Sequence, residues 1–153
     1  MNLRNTRTNS NDPTFRMLEA ELEAELSQRD DSIQQRCDRY DTPQSYIDTV
    51  IVAYDGDTPV GFGCFKPFDD STAEIKRMYV RKDYRRKGVA SIILMELELW
   101  AGQHDFIKLI LQTSTKQPEA MQLYAKFGYK QIASYGMYAN IASSVGMQKL
   151  ILE

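Results

Sequence analysis

Apolar residues change their spacing along this 153-residue chain, and each change marks an element. Phe15, Leu18, Leu22 and Leu26 recur every three or four residues after Asn11-Asp12-Pro13, where Asp12 can cap a helix and Pro13 can begin one. The pattern predicts a first helix over Asp12–Gln28. From Arg29 to Asp48 the chain is charged, with Ile33, Tyr40, Tyr46 and Ile47 scattered through it, which reads as a short second helix and a loop around Thr42-Pro43. Thr49–Tyr54 is β-branched and apolar, Asp55-Gly56-Asp57 supplies a turn, and Pro59–Lys66 resumes as a strand, together predicting a hairpin. Ala73–Val80 alternates as a third strand, Arg81–Lys87 is a basic loop, and Val89–Gln103 is helical. Phe106–Gln112 suits a buried strand, Pro118–Phe127 a short helix that Gly128 ends, and Tyr129–Ala133 and Val145–Leu152 two last strands around Tyr135-Gly136-Met137-Tyr138. With a weak strand at Leu3–Arg7, the sum is an α/β domain. Its central sheet is mixed and mainly antiparallel, with six or seven strands flanked by about four helices.

Composition narrows the class. A share of 42% apolar and 26% charged residues is ordinary for a globular protein, and no apolar run approaches the roughly 20 residues that cross a bilayer. Met1–Asp12 is polar and lacks the apolar core of a secretory leader, so a cytoplasmic location and one domain over residues 1–153 are expected. A net charge of -2 offers no footprint for nucleic acid. Cys37 and Cys64 form no C-x-x-C pair and His104 is the single histidine, so neither a disulfide framework nor a metal site is expected.

The chemically loaded stretch is the strand Ala73–Val80, the basic turn and the helix after it. A strand–loop–helix unit aims the unpaired N–H groups of the helix start at whatever docks there, and such a site favours an anion. Gly88 would let backbone approach a phosphate, Ala90 keeps the helix start uncrowded, and Arg85, Arg86 and Lys87 add positive charge. An ordinary solvated basic loop would carry the same residues.

Ala73-Glu74-Ile75-Lys76-Arg77-Met78-Tyr79-Val80 followed by Arg85-x-x-Gly88-x-Ala90 resembles motif A of the Gcn5-related N-acetyltransferases, and Gln117-x-x-Ala120-x-x-x-Tyr124-x-x-Phe127-Gly128-Tyr129 resembles their motif B. The resemblance covers the chain from Thr49 onward. It implies acetyl-coenzyme A as co-substrate, held by Met78, Tyr79, Val80, Arg85, Arg86, Lys87, Gly88, Val89, Ala90 and Ser91, with Gln117, Ala120 and Tyr124 from motif B. Gln117 stands where the family often has Asn, which changes the reach of that amide. Main-chain groups of Met78 and Val80 would pair with the pantetheine arm, and the thioester would lie in the gap between the fourth and fifth strands.

Acetyl transfer to an amine sets further demands. The amine must lose a proton, and Glu74 is the candidate because strict alternation would place it on one face with Lys76, Met78 and Val80; a surface carboxylate balancing Lys76 is the alternative. The histone-modifying branch of the family has a catalytic Glu after Ala in its equivalent strand, which Ala73-Glu74-Ile75 matches. The departing thiolate needs a proton, a role in which Tyr124 matches the family; a core tyrosine beside Leu123 and Phe127 is the alternative. A backbone N–H near Met78 or Tyr79 would serve the oxyanion. Neither cysteine nor His104 lies in a motif, which favours direct transfer in a ternary complex, with Cys64 the one thiol in a strand that could line the cleft.

For the acceptor, Tyr40, Phe65, Tyr135 and Tyr138 are candidate walls, and Lys66, Lys76 or Arg77 could pair with a carboxylate on it. Aromatic clustering at Tyr135 and Tyr138 would equally serve core packing or a homodimer. The expected partner is a small-molecule amine such as an amino acid or polyamine. A protein or peptide acetyltransferase and a non-catalytic acyl-coenzyme A sensor are the alternatives, the last disfavoured by the joint presence of Glu74 and Tyr124.

Overall fold

Phe15, Leu18, Leu22 and Leu26 form one buried stripe of a helix, and its position explains how the rest is layered. The computed structural model describes residues 1–29, 46–136, 139 and 142–151. The elements are β1 (Leu3–Thr8), α1 (Pro13–Arg29), β2 (Thr49–Asp55), β3 (Thr58–Pro67), β4 (Thr72–Val80), α2 (Val89–Gln103), β5 (Lys108–Ser114), α3 (Pro118–Lys126), β6 (Lys130–Ile132) and β7 (Ser144–Leu150), with a 3-10 turn at Lys82–Tyr84. The sequence places each of these within one or two residues; the short helix expected between Arg29 and Asp48 lies largely outside the described residues. The sheet runs β1-β2-β3-β4-β5-β7-β6, and every neighbouring pair is antiparallel except β4–β5.

Each face of the sheet has its own core. Phe15, Leu18, Leu22 and Leu26 of α1 pack on Val50, Val52, Phe62, Cys64 and Tyr79. On the other face Val89, Ile93, Leu94 and Leu97 of α2 pack on Ile51, Ala53, Phe65 and Ile75, with Leu109, Leu111 and Tyr124 continuing that layer toward α3. The alternation of β2 is visible in this division, since Val50 and Val52 serve one core and Ile51 and Ala53 the other. Two glycines let α2 sit close: a Cβ at Gly63 would stand 2.6 Å from the Ile93 side chain, and one at Gly61 2.6 Å from the Tyr79 carbonyl oxygen.

Two irregularities place the site. First, β4 and β5 pair only from Thr72–Ile75 against Lys108–Leu111, so the strands part where β4 continues to Val80. Second, β4 carries an extra residue, Lys76, between Ile75 opposite Phe65 and Arg77 opposite Cys64. This bulge breaks the alternation. Ala73 and Ile75 lie in the α2-side core and Met78 and Val80 pack against it, while Arg77 bonds Glu19 of α1 and Tyr79 joins the α1-side core. Glu74, adjacent to Ile75 and in register with Lys66, is therefore turned to the face opposite Met78 and Val80. The shared face expected from simple alternation is overturned, because pairing with β3 sets the register and a sequence pattern does not show it.

Candidate active site

Where β4 and β5 part, a cavity of about 560 Å³ opens, within the usual size of small-ligand sites. Met78, Tyr79 and Val80 line it from β4, Arg85, Arg86, Gly88, Val89, Ala90 and Ser91 from the turn and the start of α2, and Gln117, Ala120 and Tyr124 from α3. Twelve of the thirteen cofactor positions expected from the sequence therefore share one cavity. Lys87 does not line it; its ammonium sits over the Tyr84 ring at 5.6 Å.

The turn is shaped by backbone that favours glycine. Gly88 has φ 84° and caps α2 without a side-chain capping bond, and Arg86 has φ 63°. The first N–H groups of α2 thus face the cavity end that Arg86, Gly88 and Ala90 line, a donor set that suits a pyrophosphate. Arg85 does something else. Its Nη2 donates to both carboxylate oxygens of Glu25 on α1 at 2.7 and 2.8 Å, and its Nε donates to the Val80 carbonyl at 2.9 Å. Arg85 clamps the turn to α1, and its charge is already matched.

That clamp is one of three. Arg81 pairs with Glu21 at 2.7 Å and Arg77 with Glu19 at 2.7 Å, the last pair buried. The hydrogen bond from Arg81 holds the Glu21 carboxyl below the usual carboxylate range against the opposing effect of burial. Tyr79, whose hydroxyl donates to Glu21 at 3.2 Å, is pushed up to about 12 by burial and then by the nearby carboxylates. Sequence reasoning missed this ladder and with it the α1 residues Leu22, Glu25 and Leu26 that line the cavity. A signal was present in the matched four-residue spacings of Arg77, Arg81 and Arg85 and of Glu21 and Glu25.

Tyr124 is buried, and its hydroxyl donates to the Met78 thioether at 3.5 Å. Burial raises its phenol well above the ordinary range, so it stays protonated at neutral pH. Its ring meets that of Tyr129 edge-on at 5.6 Å, and Tyr129 is tied through its hydroxyl to Glu98 at 2.9 Å. A proton donor bonded, among the described residues, to a weak sulfur acceptor fits a site that takes a sulfur leaving group.

Glu74 lies beside the cavity rather than in its lining, with Lys76 Nζ 3.2 Å from Oε1 and the Tyr135 hydroxyl 2.7 Å from Oε2. Of the expected acceptor walls, Tyr135 thus stands at Glu74. Phe65 does not: it is 1% exposed and packed edge-on against Trp100, His104 and Phe106 at 6.0, 6.4 and 6.1 Å, on the α2 side. Its aromatic character serves the core. Tyr40 and Tyr138 lie outside the described residues. Cys64 is fully buried in the α1-side core and does not line the cavity, and His104 caps the far end of α2. Among the described residues no group of three His, Cys, Asp or Glu side chains is placed to hold a metal ion. Also among them, no helix is long and apolar enough to cross a membrane.

A mainly antiparallel sheet that splits beside a glycine-shaped turn, with a phenol at the split, is the arrangement expected of an N-acyltransferase that uses acyl-coenzyme A. The chain belongs to the Acetyltransferase (GNAT) family, whose profile matches residues 11–129. It is 35% identical over 83 residues to the uncharacterized N-acetyltransferase YjcF of Bacillus subtilis (strain 168), covering 54% of this chain and 56% of that protein. The chain spans about half the length of the curated relatives it matches. A Klebsiella pneumoniae protein described as an acyl-CoA N-acyltransferase shares the fold with TM-score 0.80 and 26% identity over 98% of both chains. The PaiA N-acetyltransferase of Thermoplasma acidophilum, solved in complex with coenzyme A, shares it with TM-score 0.58 and 23% identity over 66% of this chain and 59% of that one. The family's donor is acetyl-coenzyme A, and the cavity and its donor set fit that group.

Proposed function

We propose that the chain, working as one N-acetyltransferase domain, transfers acetyl directly from acetyl-coenzyme A to a primary amine of a small molecule. The observation that carries this reading is the Tyr124 hydroxyl bonded to Met78 where β4 and β5 part, in the same cavity as the helix start and Arg86. Acetyl-coenzyme A, when bound, supplies an acyl group activated as a thioester. The N–H groups at the start of α2 and Arg86 bind its phosphates, and the β4 edge at Met78 and Val80 orients the pantetheine arm. Tyr124 gives its proton to the departing sulfur, and Glu74 takes a proton from the amine, directly or through one water.

The reach of the cavity to the α1 side supports an acceptor approaching there, between Leu22 and Leu26 of α1 and the β4 residues Lys76 and Arg77. Apolar walls beside cations already paired, Lys76 with Glu74 and Arg77 with Glu19, suit a small amine bearing an apolar portion. The burial of Cys64 away from the cavity supports direct transfer over a covalent acetyl-enzyme.

The test is release of free thiol from acetyl-coenzyme A across amino acids, polyamines, aminoglycosides and peptides. Turnover on one or more free amines is expected, with Tyr124→Phe and Glu74→Gln both slowed. Faster turnover on peptides would move the acceptor class to proteins, and cofactor binding without turnover on any acceptor would overturn the enzymatic reading.

A further inference from the structure

Tyr135 is held by two neighbours before its hydroxyl is considered, and one of them is itself braced. Its carbonyl accepts from Gln112 Nε2 at 3.1 Å, and Gln112 Oε1 in turn accepts from the Ser144 hydroxyl at 2.9 Å. Its ring meets Phe68 nearly at right angles with centroids 5.6 Å apart. β5, β7 and the turn after β3 therefore hold a phenol whose O–H reaches Glu74 Oε2 at 2.7 Å, a charge-assisted geometry. Lys76 on the same strand holds Oε1, Lys66 on β3 stands opposite Glu74 in register, and the β5 partner, Ile110, is uncharged. Among the described residues, Tyr135 is thus the group that holds Oε2, and it does so as a neutral donor.

We propose that Tyr135 is a positioning residue that fixes the orientation of the Glu74 carboxylate for the acceptor amine; this rests on the reading of Glu74 as the group that takes the amine's proton. In the step it serves, an ammonium N–H passes its proton to Glu74, the freed nitrogen lone pair forms the bond to the acyl carbon, and the carbon–sulfur bond breaks as Tyr124 gives its proton to sulfur; the second proton that the nitrogen loses as the amide forms replaces the one Tyr124 gave. A hydroxyl that donates to Oε2 limits rotation of the carboxylate. Without it the group is free to turn away from the acceptor amine.

The experiment compares the full chain with its Tyr135→Phe and Glu74→Gln variants. With the best amine of the acceptor panel, Tyr135→Phe is expected to lower kcat by about ten-fold while the KM for acetyl-coenzyme A stays unchanged, and the loss is expected to vanish when Tyr135→Phe is made in Glu74→Gln, where no carboxylate is left to position. The ring contact with Phe68 survives in Tyr135→Phe, so a purely structural role would leave kcat at its parental value or lower it equally in both backgrounds. Either of those results overturns the proposal. A parental rate in Glu74→Gln itself overturns the reading of Glu74 as base and the positioning role with it.

Discussion

Tyr124 shows how much a single side chain's surroundings decide. Burial stabilises the neutral phenol, and the sign has a kinetic consequence: a proton donor with a raised pKa remains loaded throughout the neutral and mildly alkaline range, so it should contribute no alkaline limb below about pH 10. Tyr124→Phe is expected to lower kcat by about 100-fold, a typical size for general acid catalysis, while the Kd for acetyl-coenzyme A changes by less than about two-fold. Single-turnover kinetics alongside calorimetry separate the two. Loss of binding with unchanged chemistry would reassign the residue to cofactor packing.

Among the elements, β4 and α2 carry the most consequence. The close seating of α2 on β3 predicts unequal costs for two similar substitutions. Gly61→Ala brings a methyl against the Tyr79 carbonyl oxygen, which is backbone and cannot step aside, and should cost about 2–3 kcal/mol. Gly63→Ala meets Leu97 Cδ1, which can rotate, and the Cγ2 methyl of Ile93, which is fixed to the β-carbon of a helical residue and gives way only if α2 shifts, and should cost about 1–2 kcal/mol. Urea unfolding of the two variants measures the difference; equal costs would mean that α2 yields no more readily than the β4 backbone.

These elements also mark the limit of what could be read from residues alone. The strand, turn and helix from Ala73 to Gln103 follow from alternation, a glycine and a helical apolar run, all local signals. The bulge at Lys76 does not, since it exists only relative to β3, and it reversed the inferred facing of Glu74. Phe65 was misplaced for a related reason: an aromatic on a strand between two layers can serve either, and only the seating of Trp100 and Phe106 decides. The Glu–Arg ladder was hidden because charged residues on a helix read as a solvated face unless the partner strand's position is known.

At the scale of the whole molecule, the ladder between α1 and β4 makes stability depend on acid. Glu21 has its pKa lowered in the fold, so its contribution is present above the unfolded carboxylate value and is lost as pH falls through the folded one. Thermal midpoints should therefore decline below about pH 4.5, and Glu21→Gln should decline less steeply over that window while starting lower at pH 7. Coenzyme A should act in the opposite direction. At one hundred times its Kd it should stabilise the fold by about 2.7 kcal/mol, read as a rise in midpoint that grows with ligand concentration. An unchanged midpoint at saturating ligand would exclude the cavity as a cofactor site.

The extra residue in β4 lets one strand serve both faces of the sheet. Met78 and Val80 pack toward α2, while Glu74 and Arg77 are turned to the opposite face, where Arg77 is tied to Glu19 of α1. The strand that lines the cavity is thus the strand anchored to α1, so a substitution that loosens the buried Arg77–Glu19 pair should be felt at Met78 and Val80, and neither face can be altered in isolation.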